Sequence, residues 1–227
     1  MITPDRFAEL RKLHGPLERD SVVEPAADRL RNLIIDGHLQ PGEKVPDDIG
    51  KEYLGVARNT QREACRMLVH ERLLMQQLNR GFFVRRPTRE DVEDVFLVRR
   101  LVELPALRAG FDTAGAQRVF EAVEFGEEAK SELDFTGVGT ANMRFHRAIS
   151  ALLGSERINT MMSQVLAELR LVFHAMSDAR QFYEPYLPRN REIAETLLVK
   201  RDAIAADRLL TQYLDDAERQ LLDVYPG

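Results

Sequence analysis

The sequence predicts a mainly α-helical protein in two parts: short helices with one β-hairpin, followed by an all-α helical bundle. Apolar residues recur at the three- and four-residue spacing of amphipathic helices over most of the chain. That pattern changes near residues 74–84, where two short runs flank Asn79-Arg80-Gly81, which supplies the glycine that a tight hairpin needs. Pro87 and a helix-start signal follow directly, so a domain boundary is predicted there.

The composition is that of a globular protein without a membrane segment. Its 227 residues suffice for two modest domains, and 44% hydrophobic with 30% charged residues is ordinary for this class. No apolar run approaches the ~20 residues that cross a bilayer, and the N-terminus lacks the apolar stretch of a signal peptide. The single cysteine, Cys65, excludes an internal disulfide and is predicted to be a small core residue. These features predict a cytoplasmic protein with no membrane partner.

The first predicted domain covers residues 21–87, after a polar N-terminal arm or short helix at residues 1–20. Apolar residues at helical spacing predict a helix over residues 25–35, which Gly37 ends. Pro41-Gly42 predicts a turn, and residues 44–46 are expected to add a short strand to the hairpin.

A further helix begins after the glycine turn at Gly55, and its first turns carry polar side chains. Between residues 58 and 89 there are eight arginines and two acids, in a chain of net charge −5. Arg58 and Arg62 are four residues apart and project from one helix face, where a helix entering the major groove needs hydrogen-bond donors. The predicted contacts to double-stranded DNA are Arg58, Asn59, Thr60, Gln61, Arg62 and Arg66 on the helix, and Asn79, Arg80 and Gly81 on the hairpin. The alternative is a solvated helix face; the clustering of basic residues at a helix start and a hairpin tip favours DNA.

Three segments here resemble the GntR family of bacterial transcription regulators: residues 37–43 (GHLQPGE), 54–64 (LGVARNTQREA) and 79–84 (NRGFFV). The resemblance implies a winged helix-turn-helix with the second segment as recognition helix and the third as wing. The sequence departs from the family pattern at four places: Ala57 for Ser, Asn59-Thr60 for Thr-Pro, Gln61 for an apolar residue, and Ile49-Gly50 for Leu-Ala. These departures leave the expected fold unchanged and the operator sequence open.

The second predicted domain, residues 88–227, is helical throughout and acidic. Residues 91–227 carry 16 basic and 23 acidic side chains, so this part is not expected to bind DNA. Thr88 and Asp91 have the spacing of a capping box at its start. Helices are predicted near residues 89–110, 113–130, 140–153, 155–180, 189–200 and 202–222, with breaks at residues 134–139 and 185–188 among others.

This domain resembles the FCD effector-binding domain of the FadR subfamily, through residues 95–103 (VFLVRRLVE), 142–149 (NMRFHRAI) and 152–158 (LLGSERI). Many FCD domains hold a divalent metal with one Asp and three His. At the matching positions this sequence has Asn142, His146, Asn190 and Tyr213, and neutral oxygen ligands with one histidine bind transition metals weakly. We therefore expect no tightly bound metal and no cofactor; a weak site formed by His146 with His174 is the alternative.

A polar effector site is predicted in place of the metal. The resemblance points Arg99 inward, where it must find an acceptor. Glu103, one turn on, gives a structural ion pair in one interpretation; in the other, Arg99 binds the carboxylate of a small organic acid. Asn142, His146, Asn190 and Tyr213 would then orient that acid.

The resulting expectation is a ligand-responsive transcription regulator that binds a palindromic operator as a homodimer; repression is the expected mode, and activation stays open as the alternative. The alternative is a DNA-binding protein whose second domain only dimerises. An enzyme is not expected, since the sequence has no Ser-His-Asp or Cys-His arrangement, no phosphate-binding glycine loop and no HExxH motif.

Overall fold

The computed structural model describes residues 22–174 and 179–225, with only the backbone for residues 179–184. The predicted arm at residues 1–20 lies outside this range. The chain divides into two compact units, one ending at Pro87 and the other beginning at Thr88.

The N-terminal unit is a helix-turn-helix followed by a two-stranded wing. Its elements are α1 (Val23–Ile35), a π-helical turn (Gly50–Leu54), α2 (Arg58–His70), β1 (Leu74–Gln77) and β2 (Gly81–Val84). The strands are antiparallel, with Leu74 opposite Val84 and Gln77 opposite Gly81. The predicted winged helix-turn-helix is confirmed.

The expected third strand at residues 44–46 is reduced to one antiparallel bridge between Lys44 and Phe83. Val45 still donates its N–H to the Phe82 carbonyl at 2.9 Å. Pro46 has no N–H to donate, so the ladder cannot continue past it. The segment therefore lies beside β2 without becoming a regular strand.

The core of this unit joins α1 to α2. Leu30, Leu54 and Leu68 are fully buried, and so is Cys65, which confirms Cys65 as a core residue. At the end of α2, Glu71 accepts two hydrogen bonds from Arg31 on α1, at 2.6 and 2.7 Å. A two-pronged pair of this kind fixes orientation as well as distance, so it holds the two helices in register.

The helical unit contains α3 (Arg89–Arg108), α4 (Thr113–Ser131), α5 (Phe135–Ala151), α6 (Glu156–His174), α7 (Ala179–Leu198) and α8 (Ala203–Val224). The predicted capping box opens α3: Thr88 donates its N–H to Asp91 Oδ2 at 2.9 Å, and its hydroxyl accepts from the Asp91 N–H. The predicted all-α architecture is confirmed. None of the helices in the described ranges is long and apolar enough to span a membrane.

Two predicted helix breaks are wrong. α5 begins at Phe135 rather than near residue 140, because Asp134 caps it and Gly139 lies inside it against the buried guanidinium of Arg170. α7 runs through Pro185 and Pro188. Each proline removes one backbone hydrogen bond from a helix, which the burial of neighbouring side chains on α7 can offset.

Candidate DNA-binding surface and buried polar centre

The start of α2 is an exposed, basic helix N-terminus. Ala57 precedes the helix in an extended conformation and offers no side-chain cap, so the first N–H groups of α2 are not satisfied by its side chain. Arg58, Arg62 and Arg66 are exposed at four-residue intervals on one face. None of the three forms an ion pair with a described carboxylate. Backbone donors and free guanidinium groups together suit the phosphates and base edges of DNA.

The remaining polar residues of α2 differ in exposure. Asn59 is exposed and Thr60 is partly exposed, so both can reach a ligand on this face. Gln61 is only 7% exposed. Its Oε1 accepts from the Gly50 N–H at 3.2 Å, and its Nε2 donates to the Pro46 carbonyl at 3.0 Å. The prediction that Gln61 contacts DNA is therefore wrong: this side chain joins α2 to the turn before it.

The contact between Gln61 and Gly50 explains two of the departures from the family pattern at once. A Cβ atom at position 50 would lie 2.6 Å from Gln61 Oε1 and 2.9 Å from Gln61 Cβ. Such distances are not compatible with a side chain at position 50 unless Gln61 moves. The glycine makes room for the glutamine, and the glutamine satisfies the glycine's buried N–H.

The tip of the wing presents polar backbone and one basic side chain. Asn79 and Gly81 have positive φ values of 58° and 102°, as the reversal between β1 and β2 requires. Arg80 between them is exposed, with its guanidinium carbon 5.6 Å from the centre of the Phe83 ring. Of the three predicted wing residues, Asn79 and Arg80 are exposed at the tip and Gly81 is half-buried.

The five predicted effector residues form one buried polar cluster in the helical unit. Arg99 Nη2 lies 2.9 Å from each ring nitrogen of His146, whose Nε2 lies 3.2 Å from the hydroxyl of Tyr213. The Tyr213 hydroxyl donates to Asn142 Oδ1 at 2.9 Å, and Asn190 Nδ2 donates to the same oxygen at 3.1 Å. We call this cluster, together with Glu103, the polar centre.

Glu103 completes the polar centre and neutralises its charge. Its Oε1 accepts from Arg99 Nε at 2.8 Å, and its Oε2 lies 2.7 Å from His146 Nδ1. Arg99 is 1% exposed and Glu103 and His146 are 0% exposed, so this is a fully desolvated pair and not a surface ion pair. Of the two interpretations of Arg99 given above, the structure contains the ion pair with Glu103.

The ionisation states follow from this packing. Burial would raise the pKa of Glu103, but the charge of Arg99 and the contacts with His146 outweigh it and lower that pKa. Burial and then the charge of Arg99 lower the pKa of His146. Burial raises the pKa of Tyr213, so its hydroxyl stays protonated. At neutral pH the polar centre therefore contains one cation, one anion and a neutral imidazole.

These residues do not fit a divalent metal. Asn142, Asn190 and Tyr213 supply neutral oxygens, and the guanidinium of Arg99 already approaches both nitrogens of His146. A cation beside the sole imidazole opposes binding of a second cation. None of the hydrogen bonds, ion pairs and ring contacts of His146 involves His174. Within the described residues, no group of three or more His, Cys, Asp or Glu is arranged to hold a metal.

Comparison with known proteins agrees with both halves of this description. Residues 23–84 match the profile of bacterial regulatory proteins of the gntR family, and residues 94–216 match that of the FCD domain. The chain is a GntR-family regulator with an FCD domain. Regulators of this family bind DNA and FCD domains bind small-molecule effectors, so the regulator is a transcription factor and not an enzyme, as predicted.

Relatives cover the regulator over most of its length. A crystal structure of a GntR transcriptional regulator from Rhodococcus sp. RHA1 is 44% identical, with a TM-score of 0.86 over 91% of this chain and 100% of that one. The transcriptional regulator YdhC of Bacillus subtilis (strain 168) is 24% identical over 84% of this chain and 87% of its own. The transcriptional regulator BphR of Paraburkholderia xenovorans (strain LB400) is 26% identical over 87% of this chain and 84% of its own. The structure of E. coli McbR/YncC shares the fold, with a TM-score of 0.76 over 92% of this chain and 100% of that one. The sequence identity is 18%.

Proposed function

We propose that the regulator is a repressor that binds a two-fold operator as a homodimer and releases it when a small organic acid binds the helical unit. The observation that carries the DNA-binding half is the exposed face of α2, with three arginines that pair with no described carboxylate. Arginine can bridge two acceptors on guanine, and the uncapped start of α2 can hold a phosphate.

The dimer is proposed from the size of the binding surface. One recognition helix and one wing make too few contacts for useful affinity, and joining two of them makes the second binding event intramolecular. Two half-sites then lie about one helical turn of DNA apart, or a multiple of it. A coupling of ~1–3 kcal/mol between effector and DNA would suffice to change occupancy of the operator.

The corresponding experiment uses operator DNA selected from a pool of random duplexes, with affinity measured by fluorescence anisotropy at several salt concentrations. Arg62→Ala is expected to abolish specific binding at moderate salt, since one bidentate base contact is worth about 1–3 kcal/mol per half-site. Arg208→Ala, which removes an exposed arginine of α8, is the matched control and should leave affinity unchanged. Circular dichroism and sedimentation should show that both variants keep the fold and the assembly of the wild type.

Unchanged affinity in the Arg62→Ala variant would contradict the placement of α2 in the DNA groove. Sedimentation of the wild type as a monomer on a single half-site would contradict the dimer. A regulator that raises transcription from a reporter carrying the selected operator would contradict repression.

A further inference from the structure

A groove in the helical unit collects arginines that the polar centre does not use. It lies between α4, α5 and α6 and has a volume of about 590 Å³. α5 turns Asn142 and His146 toward the polar centre and lines the groove with its other face, through Arg144, Arg147 and Ala148. The groove and the polar centre are therefore separate sites on opposite sides of one helix.

The cations of the groove are free to bind an anion. Arg118 on α4 and Arg144 and Arg147 on α5 are exposed and form no ion pair with a described carboxylate. The guanidinium of Arg144 lies 4.2 Å from the centre of the Phe125 ring, which holds it in place and leaves its hydrogen-bond donors available. Glu121 and Glu156 also line the groove, but neither lies within ion-pair distance of these arginines, so three cations remain against two acids.

The α6 side of the groove offers acceptors. Asn159 Oδ1 is buried there without a hydrogen-bond partner in the described part of the chain. The hydroxyls of Thr160 and Ser163 donate to the carbonyls of Glu156 and Asn159, at 2.9 and 2.8 Å, so each can only accept from a ligand. A buried acceptor without a donor costs free energy that a ligand hydroxyl would recover.

The two sides together define the chemistry of a ligand: negative charge toward α4 and α5, hydroxyl donors toward α6. We propose that this groove binds a hydroxylated organic acid, with its carboxylate on the arginines and a hydroxyl on Asn159 Oδ1. The polar centre is a poorer place for that carboxylate, because Glu103 already neutralises Arg99 there. The role of this acid in releasing DNA rests on the proposed function. Binding of the acid to the groove does not depend on DNA.

The test measures thermal stabilisation of the full chain by D-gluconate, L-tartrate and citrate. Glucitol serves as the uncharged counterpart of gluconate, and hexanoate as an acid without hydroxyls. At least one hydroxy acid is expected to raise the melting temperature, while both counterparts leave it unchanged. Calorimetric titration with that acid should then show about tenfold weaker binding for Arg118→Gln and again for Arg147→Gln, as expected for loss of one charge-assisted contact each. Arg208→Gln, outside the groove, should bind as the wild type does.

Three other outcomes would overturn the inference, and a fourth would contradict only the proposed function. Binding that survives in the Arg118→Gln/Arg147→Gln variant but is lost in Asn142→Ala would place the acid in the polar centre and leave the proposed function standing. No stabilisation by any of the three hydroxy acids would exclude the site. A wild type that binds the acid but no DNA would instead contradict the proposed function alone, and a dimer that dissociates in the Arg118→Gln/Arg147→Gln variant would show that the groove holds a second copy of the chain.

Discussion

Replacing Glu103 by Gln should destabilise the helical unit far more than the small change in shape suggests. Among the residues that the structure describes, Glu103 supplies the only carboxylate bonded to Arg99, so the substitution leaves a guanidinium that is 1% exposed without that counter-charge. Breaking one partner of a buried ion pair costs about 3–5 kcal/mol of unfolding free energy. Arg99→Met should cost a similar amount, because it leaves the carboxylate of Glu103 buried with His146 as its remaining partner.

The double variant Arg99→Met/Glu103→Leu separates this explanation from simple loss of packing. It removes both charges and keeps most of the volume, so it should cost only about 1–3 kcal/mol, mainly because His146 Nδ1 loses its partner. Urea unfolding of the full chain, followed by far-UV circular dichroism, gives all three free energies. Strictly additive losses in the double variant would refute the idea that Arg99 and Glu103 stabilise each other.

Three further predictions follow from the same contacts. Gln61→Ala should lower the stability of the N-terminal unit by about 2–3 kcal/mol, because two hydrogen bonds are lost and the buried Gly50 N–H is left without its acceptor. Proteolysis under native conditions would detect this loss, and a variant as stable as the wild type would contradict the prediction. Gly139→Ala should lower the free energy of unfolding by about 1–2 kcal/mol, as measured by urea unfolding. Overlap of the new Cβ with Arg170 outweighs the gain of about 1 kcal/mol in helix propensity. A gain in stability would show that Arg170 can move away. The free energy of unfolding should fall as the pH drops below 6.5, the ordinary histidine pKa. The pKa of His146 is lowered in the folded state, so at such pH the unfolded chain binds a proton that the folded chain does not bind. The His146→Gln variant should lose this part of the pH dependence, and an unchanged pH profile would exclude His146 as its source.

Much of the fold could be predicted from the sequence because its signals are local. The hairpin at Asn79-Arg80-Gly81 and the capping box at Thr88 each depend on residues within a few positions of one another, and both are present. The start of α5 could not be predicted in the same way. Gly139 looks like a helix breaker until Arg170, 31 positions away in sequence, is seen to occupy the space where a side chain would be.

In the candidate sites too, some residues could be predicted from the sequence, while others depend on contacts between distant parts of the chain. The family pattern predicts the five effector residues of the polar centre, which with Glu103 has six residues, and the structure places those five in contact. The sequence predicts a DNA contact for Gln61 because it is a polar residue in the first turns of α2, beside Arg58 and Arg62. Periodicity alone does not show that its side chain points back toward Gly50. The arginine groove gave no signal in the sequence, since Arg118 and Arg147 lie on different helices and only the packing of α4 against α5 brings them to one surface.

The fit between Gly50 and Gln61 also has an evolutionary consequence. Neither residue can be exchanged alone without either a clash or an unsatisfied backbone group, so the two positions should covary among relatives. Proteins with alanine at the first position should carry a smaller, apolar residue at the second, and the glutamine should occur only beside glycine. Aligned sequences alone could therefore identify which relatives share this way of joining the recognition helix to its support.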